Sequence, residues 1–161
     1  MAKYYQETPD FSVYNMGGIR AALTKGEVTY GDVLDVAPFE NKICFLTLTG
    51  EKVMELFSQI AKRGGEGVSR GVQLVITREG ELVSARLHGK EIDPQADYRI
   101  ATIDYLIQGN DGMPALASGF NLNTPKDKKN NARFIIRDYF HEMLMKGEVV
   151  DAKVEGRIVV R

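Results

Sequence analysis

A chain of 161 residues is long enough for one domain and too short for two well-cored ones, and its 43% apolar and 27% charged residues match an ordinary soluble globular protein. The 21 basic and 22 acidic residues leave a formal net charge of -1, which argues against a broad nucleic-acid-binding surface but leaves room for a small anionic ligand gripped by one or two arginines. No stretch approaches the ~18 apolar residues of a membrane span, Met1–Pro9 carries no apolar secretory segment, and the single Cys44 cannot close an internal disulfide, so the redox compartment stays open.

In chain order, Phe11–Tyr14 reads as a short strand that runs into the loop Asn15-Met-Gly-Gly-Ile-Arg20. Its paired glycines allow positive φ and close backbone approach. Thr29 is an N-cap for a short helix through Val33, Leu34 and Val36, stopped by Pro38. Residues 42–48 alternate as a strand, with Cys44 a small buried residue inside it rather than a reactive thiol. Thr49-Gly50 opens a helix whose Val53, Leu56, Phe57 and Ile60 follow i, i+3, i+4, i+7 spacing, closed by Gly64-Gly65. A hairpin follows, 71–77 and 81–87 around Gly80. His88-Gly-Lys90 and Asp93-Pro94 make further turns, and Tyr98–Ile103 is a dense apolar strand suited to the centre of a sheet. The glycine-bearing loop 104–112 comes next, and 121–131 reads as a polar, proline-broken surface loop. A helix over 132–146 places Ile136, Tyr139, Phe140 and Met143 on one face and ends at Gly147. A last strand, 157–161, pairs back into the sheet. Without strict βαβ alternation, this order predicts an α+β fold, a mixed β-sheet flanked by helices, in one domain over 1–161.

The residues equipped for bond breaking are few. His88 sits in a turn and His141 mid-helix, neither in an H-x-H or H-E-x-x-H pattern, so both read as surface residues. G-x-S-x-G, G-x-x-x-x-G-K-[ST] and G-x-G-x-x-G are all absent. Binding chemistry is better represented. The 15–20 loop offers backbone N–H groups, the Asn15 amide and the Arg20 guanidinium, which grips phosphate or carboxylate through two parallel hydrogen bonds. The same residues equally suit a tight turn with its arginine in solvent. Asp111, between Gly109 and Gly112, suits either the vicinal hydroxyls of a sugar or ordinary turn chemistry. Phe39 and Tyr105 are either core residues or flat rings flanking a slot, where stacking a base contributes ~1–3 kcal/mol.

Asn15-Met-Gly-Gly-Ile-Arg20, Gly31-Asp32, Pro38-Phe39-Glu-Asn41 and Gly109-Asn-Asp-Gly112, in this order and spacing, resemble the C-terminal domain of the 5′-nucleotidase family, which includes 2′,3′-cyclic phosphodiesterases and UDP-sugar hydrolases. The likeness runs from Phe11 to the closing Glu155-Gly-Arg-Ile-Val159. It implies a nucleotide-recognition domain in nucleotide catabolism, with hydrolysis carried out by a separate metallophosphoesterase domain, in cis or in trans, that holds two divalent metal ions. By motif, Phe39 and Tyr105 resemble the aromatics that sandwich the base, and Asn15 the asparagine at its edge. Asp111 resembles the carboxylate on the ribose hydroxyls and Arg20 the phosphate-facing arginine, with Gly17 and Gly18 shaping the loop. Export or a periplasmic location is likewise implied by the resemblance alone.

The departures from the family pattern carry their own expectations. Met16 replaces the first of three glycines and tightens the approach. Tyr105 stands where phenylalanine is common and adds a hydroxyl able to hydrogen-bond. Asn110 replaces a frequent glycine, as a residue tolerant of the left-handed region. Only ten residues precede Phe11, where the family has an amphipathic helix that often supplies another phosphate-contacting arginine. The helix is thus expected to have been trimmed away or to come from elsewhere, leaving a groove that weakens folding or promotes association. The D-x-H, N-H-E/D and H-x-H metal patterns of the family's catalytic domain are missing, so this chain alone is expected to be inactive and to hold no metal or other cofactor. The alternative is a stand-alone nucleotide-binding or protein-interaction module without hydrolase activity.

Overall fold

Burial of the apolar strand faces organises the chain into two mixed sheets. The computed structural model describes residues 5–161, so the first four residues of the Met1–Pro9 stretch lie outside the described ones. The first sheet contains β1 (Phe11–Tyr14), β2 (Ile43–Thr49), β3 (Gly67–Val68), β7 (Asp97–Ile103) and β8 (Phe120–Asn123), in the order β3-β1-β7-β2-β8. β7 takes the centre, parallel to β1 and antiparallel to β2, as its dense apolar character predicts. The second sheet contains β4 (Val72–Ile76), β5 (Leu82–Leu87), β6 (Lys90–Glu91) and β9 (Ile158–Val160), in the order β6-β5-β4-β9. β9 returns from the end of the chain to pair parallel with β4.

Helix α1 (Tyr30–Val36) starts at a capping box in which Thr29 and Asp32 satisfy each other's backbone N–H. Helix α2 (Gly50–Lys62) buries Val53, Leu56, Phe57 and Ile60, and Phe57 packs on Phe11 with ring centroids 5.3 Å apart. Side chains from both sheets and α2 form a continuous apolar cluster that includes Leu46, Ile100, Leu74 and Ile76. Cys44 is buried in β2, and burial raises its thiol above the ordinary value. Gly50 is obligatory at the start of α2, because a Cβ there would lie 1.8 Å from the carbonyl oxygen of Asp93.

Helix α3 (Ala132–Met145) is capped by Asn131 and anchored mainly at its first turn. Ala132 is buried and Ile135 touches the core, whereas Tyr139, on the predicted apolar face, is 50% exposed. That face is thus only partly covered. Just before it, the buried Asn130 accepts from Ile43 N–H (2.9 Å) and donates to the carbonyls of Ile43 (3.0 Å) and Pro125 (2.8 Å). Its amide thereby continues the backbone pairing at the start of β2.

The fold is α+β, with mixed sheets flanked by helices, and three details of the expectation change. One mixed sheet becomes two, because β4 and β5 pair with β9 and β6 and not with the β7 layer. The 121–131 loop starts later, since Phe120–Asn123 pairs with β2 as an edge strand. Gly17 and Gly18 do not use positive φ; Met16–Gly18 forms a short 3₁₀ turn, and only Gly18 needs its missing side chain. A Cβ at Gly18 would lie 3.0 Å from both Asn15 Oδ1 and the Tyr14 hydroxyl.

Candidate functional site

The ends of β1, β2 and β7 deliver three loops, 15–20, 38–42 and 104–112, to one rim, and hydrogen bonds between residues far apart in sequence set them together. Asn15, 5% exposed, donates from Nδ2 to Asp111 Oδ2 at 2.6 Å, while the Tyr105 hydroxyl donates to Asp111 Oδ1 at 3.0 Å. That bond raises the Tyr105 phenol above its ordinary value, with burial and the nearby carboxylate charge adding to it. A Cβ on Gly17 would sit 3.6 Å from Asp111 Oδ2, so this loop passes close to the carboxylate. Arg20 bends back to donate to the Gly17 carbonyl at 3.1 Å, and its own N–H bonds to the Val36 carbonyl at the end of α1. Asn15 Oδ1 is buried with no hydrogen-bond partner among the described residues, an acceptor left open beside Gly18.

Phe39 and Tyr105 are not core residues: they are 48% and 40% exposed. Asp104 couples their loops, its Oδ1 accepting from Lys42 N–H (3.1 Å) and Tyr105 N–H (3.0 Å), while its own N–H bonds to the Lys42 carbonyl (2.9 Å). The N-terminus of α3 holds the other side of the Phe39 loop. Arg133 Nη2 donates to the Pro38 carbonyl at 2.8 Å and Ala132 N–H to the Asn41 carbonyl at 2.8 Å. The non-glycine residue of the 109–112 turn with positive φ is Asp111 (φ +53°), not Asn110, whose amide instead ties back to the Tyr105 carbonyl at 2.8 Å. The turn therefore aims the carboxylate, and aspartate is among the few residues that adopt this conformation readily.

The structure thus clusters Asn15, Gly17, Tyr105 and Asp111, keeps Gly18 and Arg20 in the adjoining loop, and ties the Phe39 loop to Tyr105 through Asp104. Sequence reasoning missed Asp104, Arg133 and, above all, Arg63 and Glu66. Glu66 is buried, accepts from Met16 N–H at 2.5 Å and pairs with Arg63 Nε. Its hydrogen bond raises the Arg63 guanidinium above its ordinary value, and Asp111 and Tyr105 add to the effect. No motif marks these two, because charged residues around a helix-ending Gly-Gly look like solvated surface.

Chemically the rim offers a carboxylate, an amide, a guanidinium and two exposed rings, the equipment of recognition. Among the described residues no group of three or more His, Cys, Asp or Glu could hold a metal ion, so these side chains do not fit a metal centre. Also among the described residues, no helix is long and apolar enough to cross a membrane. A groove of about 510 Å³ lies along α3, lined by Tyr5, Asp127, Ile135, Ile136 and Tyr139 among others, and includes none of the rim residues.

A family model described as 5′-nucleotidase, C-terminal domain, matches residues 2–118. Protein UshA of Salmonella pullorum is 29% identical over 146 residues, which cover 89% of this chain and 25% of the relative. A 5′-nucleotidase of Vibrio vulnificus (strain CMCP6) is 30% identical over 146 residues, covering 88% of this chain and 25% of the relative. The chain therefore spans about a quarter of the length of these curated relatives. The crystal structure of a 5′-nucleotidase precursor from Thermus thermophilus has the same fold, with a TM-score of 0.80 at 24% identity over 99% of this chain and 32% of that one.

Proposed function

The chain belongs to the family of 5′-nucleotidase C-terminal domains, and on that premise we propose that it recognises the nucleoside part of a nucleotide for a phosphoester hydrolase acting in nucleotide catabolism. The observation that carries this reading is the Asp111 carboxylate, gripped by Asn15 and Tyr105 beside two exposed rings. A carboxylate has about four acceptor positions. Asn15 and Tyr105 occupy two, so both oxygens retain capacity for the vicinal hydroxyls of a ribose. Phe39 and Tyr105 stack the base from their coupled loops, each contributing ~1–3 kcal/mol. The Asn15 amide stands at the edge of the base, and Arg20 releases the Gly17 carbonyl to meet the phosphate. Gly17 and Gly18 keep the loop low enough for that approach.

In this reading the 161 residues act as a single domain whose work is binding and orientation, the entropic part of catalysis. Two divalent metal ions in a separate metallophosphoesterase domain supply the Lewis acidity for hydrolysis. The whole enzyme works in the periplasm or outside the cell, and nucleic acid is not a partner.

Titration calorimetry with adenosine and AMP tests the proposal. The wild-type chain binds weakly, and Phe39→Ala and Tyr105→Ala each lose ~1–3 kcal/mol of affinity with little change in melting temperature, since both rings are exposed. Absence of heat with any nucleoside rejects the reading. Adding a metallophosphoesterase partner separates it from a stand-alone module: phosphatase activity that needs this chain supports the proposal, and nucleoside binding indifferent to every partner, without activity, supports the module.

A further inference from the structure

We infer that Glu66 and Arg63 form a positioning pair that sets the Asn15 loop against the Asp111 turn and so aims the carboxylate at the ribose, an inference that rests on the nucleoside reading above. A glutamate whose side chain is 2% exposed must have its charge matched and its oxygens occupied. Glu66 meets both demands with groups that serve the rim. Oε2 accepts from the backbone N–H of Met16, and the residue before it, Asn15, donates its side chain to Asp111. Oε1 holds Arg63 Nε. The Arg63 side chain lies beside the turn that carries the carboxylate: a Cβ on Gly112 would lie 3.7 Å from Arg63 Cδ and 3.8 Å from Nη1. One buried carboxylate just past the end of α2 therefore bonds the first loop directly and sets its arginine beside the second.

The arrangement explains how Asp111 is held. Asp111 and Gly112 both have positive φ, +53° and +64°, so this turn departs from the favoured regions for an L-residue at its functional position. Asn15 and Tyr105 fix the two carboxylate oxygens, and Arg63 lies near Gly112 on the side a Cβ would occupy. With the pair removed, Met16 N–H has no buried acceptor, the Asn15 loop relaxes, and the carboxylate turns away from the sugar. The base-stacking rings have supports besides Asp111, with Asp104 bonded to the Tyr105 backbone and Arg133 to the Phe39 loop. Loss of the pair therefore weakens the response to the sugar more than the response to the base.

The test compares adenosine with 2′,3′-dideoxyadenosine, which keeps the base and lacks both hydroxyls, on the 161-residue chain and its Arg63→Ala and Glu66→Gln variants. Arg63 is the safer site, because 36% of its side chain is exposed and its loss leaves the core intact. Both variants lose adenosine affinity roughly tenfold while dideoxyadenosine changes less than about twofold. In the ligand-free protein the Asn15 side-chain amide signal in a ¹⁵N–¹H spectrum shifts in both variants. Equal losses for the two nucleosides, or an unmoved Asn15 signal in R63A, overturn the pair while adenosine binding by the wild type keeps the nucleoside reading intact. A wild-type chain that binds neither nucleoside overturns that reading, and the ribose placement with it, even if the Asn15 signal moves.

Discussion

The rim of loops around Asp111 and the C-terminal helix α3 are built in opposite ways. The rim has almost no regular structure, yet nearly every turn of it is tied to a residue dozens of positions away: Asn15 to Asp111, Lys42 to Asp104, Met16 to Glu66. Helix α3 has complete local hydrogen bonding, a good cap and 14 residues, but beyond its first turn it rests on little. Leu144 and Met145 are 72% and 73% exposed. Regular structure is therefore a poor guide to how firmly a segment is held. Firmness comes from buried area and satisfied long-range polar contacts.

The contrast is broken most severely in the core beneath the rim. Phe57→Ala costs ~3–5 kcal/mol in denaturant unfolding, because the ring is fully buried against Phe11. Asn130→Ala strikes the joint between the two regions. It leaves the N–H and carbonyl of Ile43 without their partner and lowers stability by about 2–3 kcal/mol, with faster amide exchange in β2 before α3 is affected.

Glu7 sharpens the comparison through pH. Both Arg99 Nε and Nη2 donate to it, at 2.9 and 2.7 Å, and Asn123 donates at 2.7 Å. The hydrogen bonds from Arg99 hold its carboxyl below the ordinary glutamate value against the opposing cost of burial. A depressed folded value stabilises the protein above the ordinary glutamate pKa, and that contribution is lost as pH falls through the folded value. Glu7→Gln is therefore less stable than wild type by about 1–2 kcal/mol at neutral pH, and the two thermal midpoints converge on acidification through that window. A constant gap at every pH removes the ion pair as the cause. The smallest effect belongs to the outer turn of α3, where Leu144→Ser changes stability by less than about 0.5 kcal/mol in the same unfolding assay. A larger loss there means that something in solution covers this face.

Much of the scaffold was legible in the residues. The spacing of Val53, Leu56, Phe57 and Ile60 announces α2, Thr29 announces the start of α1, and the apolar run 98–103 announces the central strand. Each is a local signal, a period or a cap, that tertiary packing reinforces. Asn121–Asn123 reads as loop because the alternation of Phe120-Asn-Leu-Asn123 lasts only four residues, is exposed throughout and runs into Thr124-Pro125. The spacing of Ile136, Tyr139, Phe140 and Met143 marks one face of α3, but among the described residues that face is only partly covered, with Tyr139 50% exposed.

The candidate site divides along the same line. Asn15, Arg20, Phe39, Tyr105 and Asp111 stand in short motifs, and their chemistry is visible before any fold is known. Glu66, Arg63, Asp104 and Asn130 carry no such mark, since a charge or amide at a loop looks solvated until distant chain buries it. Residue type and spacing were enough to settle most elements, the family and the chemistry on offer, because these depend on neighbours within a few positions. Which polar groups became struts, how many sheets formed and where Asp111 points were left to packing, because each depends on contacts across fifty to a hundred residues that no local pattern encodes.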